Sequence, residues 1–319
     1  MKYRFCGKSG LQLPVISLGL WHNFGDVDNF TVARDMTLYA FEHGITHFDL
    51  ADNYGPPPGS AEINFGKILS NDLKNHRDEM LISSKAGHLM WEGVYGDGGS
   101  RKHLMASIHQ SLKRTGLEYF DIFYSHRYDP QTPLAETVQT LIDIVRQGKA
   151  LYIGLSKYPA EQAKQACQMM AAQNVPCLVF QDRYHLFNRD PETQVFPTAE
   201  KYGAGFVAFS PLAQGLLTDK YLAGIPDTSR AAKNRFLKRE QITEDMVKRI
   251  TCLNRLAWQR GRSLAETALT WVLQHKQVTS VIVGASSVAQ LQDNLKAADG
   301  KELTPEEINL IEQILKIRD

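Results

Sequence analysis

Eight short apolar runs alternate with amphipathic segments along most of this 319-residue chain, and that alternation restricts its possible folds more than any other feature. The runs, each of strand length, cover residues 15–18, 46–49, 80–84, 121–125, 151–154, 178–181, 205–209 and 280–283. The segments between and after them predict helices over 31–43, 61–69, 101–115, 134–146, 160–173, 191–202, 263–275 and 288–297. In the fourth of these, Val138, Leu141, Ile142 and Val145 have the i, i+3, i+4, i+7 spacing of a buried stripe. Gly44, Gly116, Gly148 and Gly203 follow predicted helices, where a glycine relieves left-handed backbone strain. Strands alternating with helices build a parallel sheet, and eight such units close into an α/β (β/α)8 barrel, the TIM barrel. A doubly wound sheet is the alternative. It lacks support because Gly19-Leu20-Trp21-His22, after the first strand, does not fit the G-x-G-x-x-G fingerprint.

Some pieces fall outside the repeat. Residues 4–6 and 11–13 read as an N-terminal hairpin capping the barrel bottom. Residues 90–100 form a Gly-rich loop, and 210–241 a long insertion after the seventh strand. Extra helices are expected over 244–260 and 305–316. Loops this long in a compact domain are usually functional, and these would sit at the C-terminal mouth. The whole chain, 1–319, reads as one domain, since a barrel of this size needs no division.

Charge and cysteine use narrow the function. Lys and Arg total 36 against 35 Asp and Glu, which gives no basic surface for a nucleic acid or a membrane. Cys6, Cys167, Cys177 and Cys252 lie far apart with no C-x-x-C, which fits reduced thiols better than a disulfide frame or a zinc site. The first residues hold no apolar h-region, and no run approaches membrane-spanning length, so the cytoplasm is the expected location.

Asp49, Tyr54, Lys85 and His126 sit at or just after the ends of the second, third and fourth strands. Strands of a parallel barrel end at one mouth, so these residues are expected to converge there. Tyrosine is a poor acid, with a pKa of about 10. An ammonium beside it favours the phenolate, so Lys85 is expected to lower the Tyr54 phenol. Asp49 would pair with Lys85 and keep it charged, and His126 would orient a carbonyl oxygen. Together they would polarise a carbonyl and protonate the alkoxide formed when hydride arrives.

At this point the chain resembles the aldo-keto reductases. Phe48-Asp49-Leu50-Ala51-Asp52-Asn53-Tyr54-Gly55 is similar to that family's Asp/Tyr signature, and Ser84-Lys85 and Ser125-His126 match its next two catalytic positions. The resemblance covers essentially the whole chain. It implies NADPH-dependent carbonyl reduction with Tyr54 as general acid. It further implies that Ser156 and Gln181 bind the nicotinamide carboxamide, that Phe209 stacks under the ring, and that Trp21 and Asp49 border the cofactor. Ser210, Pro211, Leu212, Gln214 and Gly215 would wrap the pyrophosphate, with Lys220 and Arg230 as cations near the phosphates. Gly284, Ser286, Gln290, Asp293 and Asn294 would hold the adenosine end and its 2′-phosphate; apart from the resemblance, these last read as an ordinary N-cap and a solvated helix face. Lys157 stands where many relatives have Asn or Arg, and Asp293 is shorter than the usual Glu.

On the substrate side, Trp21, Tyr54, Trp91 and His126 are expected around the mouth, with generic aromatic packing as the alternative for the tryptophans. Trp21-His22-Asn23-Phe24-Gly25, the stretch from Tyr54 to Glu62, Gly98-Gly99-Ser100-Arg101-Lys102 and Pro211-Leu212-Ala213-Gln214-Gly215-Leu216-Leu217 resemble bacterial reductases of L-glyceraldehyde 3-phosphate and methylglyoxal. That group is also similar to the β-subunits of voltage-gated potassium channels, which suggests a homo-oligomer, a tetramer or octamer. Arg101 and Lys102 would receive a substrate phosphate or would form a plain surface pair. Three readings follow: a reductase of small aldehydes, an NADPH-binding redox-sensing subunit of a larger complex, and a barrel metal hydrolase. His126 favours catalysis, since the channel subunits have Asn there. The hydrolase lacks convergent ligands: His126 is the only strand-end histidine in a plausible position, and His47 lacks an H-x-H partner.

Overall fold

The computed structural model describes residues 1–227, 229, 231, 232 and 237–317. Two hairpin strands, β1 (Tyr3–Phe5) and β2 (Gln12–Pro14), pair antiparallel with Arg4 opposite Leu13. Eight parallel strands then close on themselves: β3 (Ile16–Gly19), β4 (His47–Asp49), β5 (Leu81–Ala86), β6 (Phe120–Ser125), β7 (Ala150–Ser156), β8 (Cys177–Arg183), β9 (Gly205–Phe209) and β10 (Val278–Val283). Spatial order follows chain order, and β10 returns to pair with β3 through Ile282 and Ser17. The chain therefore forms the expected (β/α)8 barrel.

The helices are α1 (Phe30–Glu42), α2 (Ser60–Asp72), α3 (Arg101–Thr115), α4 (Leu134–Arg146), α5 (Ala160–Ala172), α6 (Pro191–Gln194), α7 (Phe196–Tyr202), α8 (Glu244–Gln259), α9 (Leu264–Gln274), α10 (Val288–Leu295) and α11 (Pro305–Leu315). The two extra helices, α8 and α11, pack on each other. The helix expected over 191–202 is broken at Val195, because Pro197 cannot donate a backbone hydrogen bond and its ring crowds the preceding turn. The long insertion is built from 3-10 turns at Ala213–Gly215, Asp219–Tyr221 and Arg239–Gln241. Among the described residues no helix is long and apolar enough to cross a membrane.

One apolar core lies between the barrel wall and the helices, which is why β3, β4, β6 and β10 are buried along their whole length. A second fills the barrel from below. Cys6 and Leu13 of the hairpin region join Ile122, Tyr124, Val179, Val207 and Ile282 there. Arg4 fastens the hairpin by donating to the Leu273 and Val278 carbonyls at 2.6 and 2.8 Å. The Tyr124 ring occupies the space over Gly154, where a Cβ would come within 2.4 Å of it.

Candidate active site

Alternation along a strand sends every second side chain to the same face. On β5, Ser83 and Lys85 share the inner face, while Ser84 turns outward and donates to Glu62 of α2 at 2.6 Å. The neighbouring strands bring Asp49 (β4) and Gln181 (β8) to the same centre. Lys85 and Asp49, with side chains 0% and 3% exposed, meet at 2.6 Å. The ammonium also donates to the Leu50 carbonyl at 2.6 Å and to the Tyr54 hydroxyl at 3.4 Å, which uses all three of its protons. Ser83 and Gln181 donate to the other Asp49 oxygen at 2.7 and 3.0 Å.

Tyr54 is half-buried. His126, tied to the end of β5 by its backbone bond to Ala86, stands edge-on to the Tyr54 ring at 5.8 Å. Trp21 lies 6.4 Å from the same ring. The four polar residues thus converge, with Trp21 beside them. His88, whose ring is 4.5 Å from His126, and Lys157, whose ammonium is 3.0 Å from His88 Nε2, complete that wall.

Electrostatics departs from the expectation in one respect. Burial, reinforced by Asp49 and Asp52, pushes the Tyr54 phenol well above 10. Lys85 does not reverse this, and burial pushes its own pKa down against the opposing effect of Asp49. Burial also drives His126 well below the usual histidine range, with Lys157 and Lys85 adding to the effect, so its imidazole is neutral. His126 Nδ1 is buried without a hydrogen-bond partner.

The residues matched to a cofactor lie around the same mouth and along its rim. Ser156 ends β7 with a buried, unpartnered hydroxyl. Gln181 is one strand further on, and half-buried Phe209 ends β9 with Lys157 6.0 Å from its ring. After Phe209 the chain turns through left-handed conformations at Ser210, Ala213 and Gln214, and Gly215 follows with φ 99°. Three non-glycine residues at positive φ mark a strained turn of the kind that concentrates at functional sites. Turns mixing right- and left-handed residues aim backbone N–H groups into anion-binding concavities. Within it the Gln214 amide donates to the Ser210 hydroxyl at 3.2 Å, Pro211 is buried and Leu212 is half-buried.

Lys220 sits on an exposed 3-10 turn, and Arg230 lies outside the described residues. Gly284 is exposed at the end of β10. The Ser286 N–H and hydroxyl both donate to the Gln290 side-chain oxygen, at 2.8 and 3.0 Å. Asp293 pairs with Lys296 at 2.7 Å on the exposed face of α10, and Asn294 is buried with its amide nitrogen unpartnered.

Two residues matched to the substrate side have partners of their own. Trp91 packs on His103 of α3, at 5.0 Å between rings. Arg101 is tied to α4, through an ion pair with Asp143 and a backbone bond to Glu136, and with Lys102 and His109 it lines a groove on the outer wall. The surface pair is therefore the arrangement the structure contains. Sequence reasoning missed the Leu50 carbonyl, Ser83 and His88. Ser83 was within reach, since it lies two residues before Lys85 and so shares its face. Asn23, which entered the sequence reading only as part of the segment Trp21 to Gly25, donates its amide to the Ala285 carbonyl at 2.8 Å and joins the first mouth loop to the turn before α10. Among the described residues no group of three or more His, Cys, Asp or Glu is placed to share a metal ion.

The fold and the site define a (β/α)8 barrel protein that carries its polar chemistry at the C-terminal ends of the strands, the face where such barrels place their active sites. The model of the Aldo/keto reductase family matches residues 15–316, and the chain belongs to that family. It is 51% identical over 318 residues to L-glyceraldehyde 3-phosphate reductase of Escherichia coli O157:H7, covering 98% of this chain and 92% of the relative. Identity to the protein of the same name from Escherichia coli K12 is 50%, with the same coverage. A probable voltage-gated potassium channel subunit beta from Arabidopsis thaliana is 34% identical over 324 residues, covering 99% and 97%. The protein is an oxidoreductase of a family that takes a nicotinamide cofactor.

Proposed function

We propose that this protein reduces small aldehydes, such as L-glyceraldehyde 3-phosphate or methylglyoxal, to alcohols with NADPH, and that Tyr54 is the general acid. One observation carries the reading: Lys85, locked to Asp49 at 2.6 Å, holds its remaining proton toward the Tyr54 hydroxyl at the barrel mouth. The names of the relatives at 51% and 50% identity support the substrate class.

NADPH, when bound, supplies a hydride. The residues fit such a group: Ser156 and His126 keep buried unpartnered polar atoms, and the strained turn after Phe209 suits a pyrophosphate. Ser156, Gln181 and Phe209 would hold its nicotinamide end. Ser210 to Gly215, with Lys220 and Arg230, would hold the pyrophosphate, and Gly284, Ser286, Gln290 and Asn294 the adenosine end. Asp293, engaged by Lys296, has the weakest case among them.

The high pKa of the Tyr54 phenol keeps its proton in place until negative charge gathers on the carbonyl oxygen. When the proton leaves, the phenolate faces Lys85. Two unit charges 3.4 Å apart attract by roughly 5 kcal/mol at an effective dielectric of about 20, enough to offset much of the desolvation that disfavours the phenolate at rest. Asp49 keeps Lys85 in position for this. His126, neutral, orients the carbonyl oxygen by hydrogen bonding and leaves proton donation to Tyr54. Trp21 would line the cofactor and substrate side of Tyr54.

We further place the protein in the cytoplasm as a homo-oligomer of single-domain chains, a tetramer or octamer. Four free cysteines, three of them buried, accord with a reducing compartment, and the similarity to a channel subunit supports assembly.

The test is NADPH oxidation followed by absorbance, with glyceraldehyde 3-phosphate, methylglyoxal and an aromatic aldehyde compared side by side. Fast turnover of the phosphorylated aldehyde is expected. Tight NADPH binding without turnover of any aldehyde would favour the second reading, a redox-sensing subunit, which the similarity to the channel protein supports.

A further inference from the structure

Below Asp49 a chain of hydrogen bonds runs down the barrel interior and takes no part in the mechanism above. Ser280 and Ser17 share a bond of 2.7 Å, and Ser17 is 2.8 Å from His47 Nδ1. His47 Nε2 is 3.0 Å from the Ser83 hydroxyl, which donates to Asp49 at 2.7 Å. These residues come from β10, β3, β4 and β5, and Ser280, Ser17, His47 and Ser83 are all fully buried. We propose that His47 is a positioning residue that acts through Ser83 to hold the Asp49 carboxylate in line with Lys85, an inference that rests on the tyrosine-acid reading above.

The donor count gives the chain one direction. A hydroxyl has a single proton and a carboxylate only accepts. Ser83 spends its proton on Asp49, so its oxygen must accept from His47. Burial, with Lys85 adding and Asp49 opposing, drives the His47 pKa down to about 4, so the ring is neutral and has one N–H. That proton therefore sits on Nε2. Nδ1 then accepts from Ser17, and Ser17 accepts from Ser280. Every dipole along the chain points its positive end at Asp49.

The charged groups that act on His47 are Asp49 and Lys85; the side chains bonded to it, from β3 and β5, are serines. The far end is sealed from water at Ser280, so the chain holds a carboxylate still and does not exchange protons with solvent. Ser83 matters because the other donor on the same Asp49 oxygen is Gln181, which is also expected to bind the cofactor. Once Gln181 is shared, Ser83 is the uncontested support, and His47 keeps Ser83 turned toward Asp49.

The experiment compares the holoenzyme with His47→Leu, His47→Gln and Ser83→Ala. Leucine fills space without hydrogen bonds, whereas glutamine offers an NH2 donor group and a carbonyl acceptor in a similar reach. His47→Leu and Ser83→Ala are expected to lower kcat on the order of tenfold, the rate equivalent of one hydrogen bond to a charged group. KM and NADPH affinity stay near the original values, and the alkaline limb of the kcat/KM profile moves to lower pH as Lys85 loses its fixed partner. His47→Gln recovers most of the loss. Folded His47→Leu and Ser83→Ala proteins with unchanged kcat and pH profile overturn the proposal, as does a glutamine variant no better than leucine. A readout free of variants and turnover is 15N NMR of the unsubstituted protein. His47 is expected neutral with its proton on Nε2 from about pH 5.5 to 8, where an ordinary histidine titrates. A ring protonated on Nδ1 or charged in that range sinks the directed chain. If the unsubstituted protein reduced no aldehyde, the functional reading would fall while the tautomer would still decide the direction of the chain.

Discussion

Replacing Lys85 with methionine leaves the Asp49 carboxylate buried beside a thioether. The pair lies at 2.6 Å with side chains 0% and 3% exposed, so solvent cannot compensate for the lost cation. Ser83 and Gln181 still donate to one Asp49 oxygen, but the other loses the ammonium that donates to it, and the Leu50 carbonyl loses a donor as well. Breaking a buried pair by removing one partner costs about 3–5 kcal/mol, because an uncompensated charge remains. In a protein of this size that corresponds to a fall in melting temperature of roughly 5–10 °C. Removing both charges is different, since it also removes the desolvation cost of the pair. Lys85→Met combined with Asp49→Asn should therefore be more stable than the sum of the single losses, by about 2–3 kcal/mol of coupling. Equilibrium unfolding in guanidinium of the four proteins in the cycle measures this. Additive losses, or a Lys85→Met protein as stable as the original, would refute the argument that this pair is held as a desolvated unit.

Asp52 is fully buried near Glu62, and burial followed by that carboxylate pushes its carboxyl up to about 8. The folded state thus holds this proton more tightly than the unfolded chain, so the stability it contributes is complete below about pH 4 and is lost as pH rises to about 8. Asp52→Asn should remove that decline, so the variant gains on the original protein between about pH 5 and 8 in thermal melts; parallel pH dependence of the two would contradict the assignment. Gly154→Ala should destabilise by about 1–3 kcal/mol through overpacking. Its Cβ would lie 2.4 and 2.5 Å from the fully buried Tyr124 ring and 2.9 Å from the Val179 carbonyl, so an unchanged melting temperature would show that this layer yields more easily than described.

The barrel was legible because period and punctuation agreed: apolar strands alternate with amphipathic helices, and Gly44, Gly116, Gly148 and Gly203 take the positive φ expected where helices stop. The convergence of Asp49, Lys85 and His126 was legible for a topological reason, since parallel strands in a closed barrel end on one side. The state of Tyr54 was not, because linear sequence shows the ammonium nearby but not the desolvation that outweighs it. His47 was set aside for lacking a second histidine at a metal-ligand spacing. Its partners are serines on β3 and β5, brought beside it by the pairing of Leu18 with Phe48 and of Asp49 with Ser83. Inter-strand pairing of that kind has no local signal. Arg101 looked available for a phosphate because its partners, Glu136 and Asp143, lie on the next helix and meet it only after folding. The break at Val195 was readable from Pro197.

The most direct test of the account is Tyr54→Phe. The substitution removes one oxygen and keeps the ring that packs beside Trp21 and His126. NADPH affinity, measured by fluorescence titration, should stay near the original value. Aldehyde-dependent NADPH oxidation should fall by a factor on the order of 100 to 10,000, the contribution of a positioned general acid. A phenylalanine variant that binds NADPH and still turns over aldehyde near the original rate would contradict the claim that Tyr54 delivers the proton.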